Sequence, residues 1–136
     1  LVGRDDSIHF LEVGPRAGGN MIPIQLSDAF GVDLIEANIK ICMGESVELN
    51  PVSAKGAFMT YVLHSNVDGI FSGISIAPEL KSAVYRQVIY KRQGDRVEAF
   101  DGAGKAVGIV FLHFSDKSAM DLAEIDIESK ILVDVL

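Results

Sequence analysis

The chain has 136 residues, enough for one domain and too few for two comfortable ones. With 12 Lys and Arg against 19 Asp and Glu, its net charge of −7 argues against nucleic acid or an anionic membrane as partner, because a phosphate-rich surface needs a basic face. The lone Cys42 permits no internal disulfide, which fits a cytoplasmic protein, and no apolar run reaches the roughly 20 residues of a membrane helix.

The chain opens on Leu1-Val2-Gly3 with no signal peptide, and it reads as a fragment or excised domain. Asp5, Asp6 and Ser7 mark a turn, and residues 8–13 read as an apolar strand broken by Gly14-Pro15. Gly18, Gly19 and Asn20 form a loop that leads into a helix over residues 21–30, with Pro23 tolerated in its first turn. Gly31 is the natural stop. Asp33 is placed to cap a second helix, with Glu36 as its capping-box partner and Leu34, Ala37 and Ile41 on the inner face, and Gly44 ends it. Cys42 falls in this apolar run and reads as a buried small hydrophobe.

Residues 45–53 are polar, contain Pro51, and form the best linker. Beyond them the hydrophobic period shifts from 3.6 towards 2. Strands are expected over residues 57–64, 70–77, 83–91, 96–100 and, most strongly, 106–114. Ser115 is placed to cap a helix over residues 118–129, and residues 130–135 close as a strand. The pattern is α+β, with two segments, 1–50 and a β-rich lobe over 51–136.

The front loop holds the densest chemistry. Glu12 closes a strand and offers a hard oxygen ligand suited to Mg²⁺. Arg16 can fork onto a phosphate, and Gly18, Gly19 and Asn20 let backbone amides approach an anion closely. Such parts suit phosphoryl transfer. The same residues also admit a plainer reading. In that reading Glu12 is a surface acid, Arg16 pairs with Asp28 or Glu36, and the glycines form only a loop.

The run Glu12-Val13-Gly14-Pro15-Arg16-Ala17-Gly18-Gly19 resembles the C-terminal metal-and-phosphate loop of ATP-grasp carboxylate–amine ligases, in which a strand ends in Glu-hydrophobic-Asn-Pro-Arg. Gly31-Val32-Asp33-Leu34-Ile35 resembles the opening of that family's next helix, and Gly44-Glu45 its close. Gly69-Ile70, residues 90–97 and Gly108-Ile109-Val110 resemble the small β-rich lobe that follows, so the likeness runs loosely over the whole chain. Gly19-Asn20-Met21-Ile22-Pro23 looks most like the branch that joins amino acids.

The resemblance implies a C-terminal part of a ligase that forms an acyl-phosphate with Mg-ATP and couples it to an amine. Glu12 would then bind Mg²⁺, Arg16 would be the catalytic contact to the transferred phosphate, and Gly18, Gly19 and Asn20 would line the cofactor site. The family's second metal-binding side chain, an Asn, is replaced by Gly14. Its phosphate-holding lysines and adenine pocket would lie upstream in a missing N-terminal half, so the chain alone is expected to be inactive. The alternative is a non-catalytic domain for assembly or small-anion binding. Strand edges around the linker and residues 57–77 would then offer a route to a homodimer.

Other polar residues read as structural. His113 sits in the strongest strand with no nucleophile beside it. The acids of residues 116–126 lack EF-hand spacing and suit a solvated helix face. Lys81, Arg86, Lys91, Arg92 and Arg96 suit strand-edge charges, and Met21, Met43, Met59 and Met120 suit the core.

Overall fold

In the computed structural model, which describes residues 2–14 and 16–136, the front of the chain forms a helical hairpin and the rest an antiparallel β lobe. Helix α1 spans Ile22–Phe30 and α2 spans Leu34–Cys42. The turn between them follows from its sequence. Gly31 takes a left-handed φ of 66°, which a side chain would resist, and its amide donates to Ser27 O. The Asp33 carboxylate accepts from the Glu36 amide at 2.8 Å. The Ser27 hydroxyl donates to Pro23 O and accepts from the Leu34 amide, which staples the two helices. The Glu36 side chain does not complete a capping box, because it pairs with Lys40 one turn on.

The strands are β1 (Ala57–Leu63), β2 (Gly69–Ile76), β3 (Val84–Ile89), β4 (Arg96–Val97), β5 (Gly108–Phe114) and β6 (Ile131–Val135). They form two three-stranded antiparallel sheets, ordered β1-β5-β3 and β4-β2-β6. The core lies between them and includes Leu63, Phe71, Val97, Val110, Leu112 and Ile131. Helix α3 (Lys117–Glu124) packs on β1 and β5 and adds Ala123 to that core.

The expected α+β class and antiparallel lobe are present. Several local expectations are not. Residues 8–13 form no strand, and only Ile8 bridges back to Val2. Among the described residues no strand neighbours them, and Phe10, Leu11 and Val13 are 87%, 76% and 89% exposed. Pro15, the expected strand breaker, lies outside the described residues. Cys42 and Met43 are exposed rather than buried, as is Ile41, because α2 packs only a narrow stripe around Ala37. The expected helix over residues 118–129 is two helices. Asp126 takes a left-handed φ of 57°, which ends the first run before α4, Ile127–Lys130. The N-cap of α3 is Asp116 rather than the expected Ser115, and the Asp116 carboxylate accepts from the Ala119 amide.

Helix α1 packs on β1, and an ion pair adds a second link between the helices and the lobe. Arg86 on β3 donates to the Asp28 carboxylate of α1 at 3.0 Å, and its guanidinium lies 5.8 Å from the Phe111 ring centre. Burial first, and then the Asp28 carboxylate, together push the neighbouring Tyr85 phenol up to about 12.

Because Leu112 is fully buried in the core, Leu112→Ala is expected to cost about 3 kcal/mol in urea unfolding. Ring-carbon NMR should find Tyr85 titrating near 12, and Asp28→Asn should lower that value while leaving it above the ordinary 10.0. An unfolded tyrosine ionises first. Tyr85 therefore supports stability fully below pH 10.0, and that support is lost as pH rises towards about 12.

Candidate functional site

The front loop joins the exposed apolar segment to α1, and every described residue of the predicted site in it is exposed. Glu12 and Arg16 share no hydrogen bond or ion pair. Arg16 donates to the carbonyl of its neighbour Ala17 at 3.1 Å. Its alternative partners are already engaged, Asp28 by Arg86 and Glu36 by Lys40. The plainer reading of Arg16 as half of a surface ion pair is therefore not what the fold adopts.

Asn20 and Met21 both take left-handed φ values, 51° and 55°, and turn the chain into α1. Among the described residues, the amides of Gly18, Gly19, Asn20 and Met21 donate no hydrogen bond, whereas Ile22 and Ile24 donate back to Gly19 O and Met21 O. Helix α1 has no side-chain cap and no acid in its first turn. The loop thus presents unused N–H donors, a helix N-terminus and a guanidinium, all of one electrostatic sign.

The metal side is sparser. No cluster of three or more His, Cys, Asp or Glu that could hold a metal occurs among the described residues. Glu12 alone supplies a carboxylate. A hard oxygen of this kind suits Mg²⁺, which takes one or two carboxylates and completes its shell with water and substrate phosphates. Gly14 contributes no ligand. Among the described residues a Cβ there would meet Arg16 O at an ordinary 3.8 Å, so a side chain fits.

The remaining polar groups carry no catalytic arrangement. His113 Nε2 bonds Lys55 O at 2.7 Å and its ring lies against Phe58, which makes it a structural histidine. Lys117 pairs with Asp121 on α3. Sequence reasoning passed over the trio of Asp5, Ser7 and His9. The Ser7 hydroxyl lies 2.6 Å from Asp5 and 2.8 Å from His9 in an exposed turn. The acid here holds the hydroxyl instead of orienting the imidazole, so the geometry is not that of a nucleophile triad. The hydroxyl bond holds the Asp5 carboxyl below its usual range.

No protein-family model matches the chain, and no curated protein does. Solved structures do. An L-amino acid ligase from Bacillus licheniformis aligns over 99% of this chain at a TM-score of 0.70 and 15% identity. A phosphoribosylglycinamide synthetase from Anaerococcus prevotii aligns over 89% at 0.65 and 13%. Both are ATP-grasp carboxylate–amine ligases. The chain has the fold of part of an ATP-grasp ligase. It spans about a third of the length of these two, 34% and 32%.

Because Arg16 is exposed and its side chain hydrogen-bonds a neighbouring carbonyl, Arg16→Ala is expected to leave the thermal unfolding midpoint unchanged, with a stability effect within about 0.5 kcal/mol by calorimetry.

Proposed function

We propose that the chain is the C-terminal part of an ATP-dependent carboxylate–amine ligase, divided into a catalytic-lobe segment, 1–50, and a β-rich lobe, 51–136. The observation that carries this reading is the run of unused amides over residues 18–21 beside Arg16, which has no carboxylate partner. In such chemistry a carboxylate oxygen takes the terminal phosphoryl group of ATP and ADP leaves. An amine then attacks the acyl carbon and phosphate leaves. Arg16 and the loop amides would hold phosphoryl oxygens as charge moves, and Glu12 would hold one face of Mg²⁺. Small carboxylates and amines are the proposed substrates, and the cytoplasm the proposed setting. Among the described residues no helix is long and apolar enough to cross a membrane.

The exposed segment 8–13 supports the same reading. Its apolar side chains have the composition of a sheet strand and no strand beside them. In the proposed whole protein, upstream chain would pair with it and bring the other half of the nucleotide site.

Gly14 favours a second reading, a derived domain that binds small anions or assembles without catalysis, because it removes one metal ligand from the family pattern. The two separate experimentally. An antibody to the chain should detect a native polypeptide about three times larger, in keeping with the share of the aligned ligases that it covers. That longer protein should release ADP with Mg-ATP and its substrates, and the 136-residue chain should release none. Arg16→Ala should cut turnover at least about 100-fold with the fold intact. Gly14→Asn should lower the Mg²⁺ concentration needed for half-maximal rate. Turnover unaffected by Arg16→Ala would leave the assembly reading standing instead.

A further inference from the structure

Away from the front loop, an open cavity of about 470 Å³ lies in the seam between the two sheets. Tyr61 of β1 and Val133 of β6 face it from opposite sheets. Glu128 of α4 lines it, as do His64 and Ser65 from the loop after β1 and Phe100 from the loop before β5. The size falls within the roughly 300–1,000 Å³ of small-molecule sites.

The wall is fixed before any ligand arrives. Ser65 is buried, its hydroxyl donates to Val67 O at 2.7 Å, and its carbonyl accepts from the Phe100 amide at 2.9 Å. The rings of His64 and Phe100 lie 4.2 Å apart. His64 Nδ1 is buried with no hydrogen-bond partner, an orphan polar atom in the cavity wall.

The charge is one-sided. Among the described lining residues Glu128 is the only Asp, Glu, Lys or Arg. No ion pair neutralises it, and nearby Lys130 is turned to the Ile125 carbonyl at 2.7 Å. Burial, followed by the Glu128 charge, raises the Tyr61 phenol above its ordinary value. One unpaired carboxylate, two aromatic rings and the side chain of Val133 thus line a single cavity, a composition that favours a cation over an anion.

We propose that this cavity binds a small ligand carrying an ammonium group on an aromatic or apolar body. The ammonium meets Glu128 and the ring faces of Tyr61 and Phe100, and the body lies against Val133. The inference stands apart from the front-loop reading, since none of its residues belongs to that loop.

The test is an amide NMR titration of the 136-residue chain with phenethylammonium chloride, beside the neutral 2-phenylethanol. Saturable shifts confined to Tyr61, residues 64–67, Phe100 and Val133 are expected, with the alcohol roughly tenfold weaker. Exposed Glu128 tolerates Glu128→Gln, which should weaken the ammonium roughly tenfold and leave the alcohol unchanged. Absence of saturable shifts up to millimolar ligand, shifts centred elsewhere, or equal binding of the two probes would overturn the proposal.

Discussion

Burial of β5 on both faces is the constraint on which the rest of the molecule depends. Ile109, Val110, Phe111 and Leu112 are all fully buried, and the strand pairs with β1 on one side and β3 on the other. Alternation sends Val110, Leu112 and Phe114 into the core between the sheets, and Ile109 and Phe111 to the opposite face. That opposite face needs cover. Arg86 and Tyr85 lie against Phe111, and Arg86 reaches Asp28 on α1, so a partly exposed ion pair joins the packing of α1 on β1 in holding the helical hairpin to the lobe. Gly108 makes the start of the strand possible, because a Cβ there would lie 2.6 Å from Val88 O on β3.

What could be read in the sequence was what local chemistry decides. Gly31 and Asp33 specify a turn and a cap whatever surrounds them, and the apolar run of β5 can lie only in a core. What failed was what distant contacts decide. Residues 8–13 have strand composition, yet a strand is made by its neighbour, and among the described residues only Val2 bridges to them, at Ile8. The period of residues 118–129 admits one helix, but a left-handed Asp126 splits it so that Ile127 and Ile131 can both turn into the core. Cys42 and Met43 have core composition but sit on the outer side of a hairpin that packs a single stripe.

The candidate loop divides the same way. Its donors could be named from glycines and an arginine. That Arg16 finds no carboxylate could not, since it depends on Arg86 and Lys40 occupying Asp28 and Glu36. The competition matters for the proposed chemistry. An arginine already paired to a carboxylate must break that bond to take a phosphate, whereas one resting on a backbone carbonyl gives up little.

The same competition explains how a chain of net charge −7 can present unpaired basic groups at one end and an unpaired acid at another. Exposed charges are screened beyond about 8 Å at physiological salt, so overall charge says little about a particular cleft. At the front loop the guanidinium of Arg16 and the unused amides of residues 18–21 are left without an acidic partner. At the seam between the sheets Glu128 is the one charged side chain among the described lining residues, and the basic side chain closest to it in sequence is held at a carbonyl. Local pairing, by removing Asp28 and Glu36 from one site and Lys130 from the other, leaves each with a sign of its own.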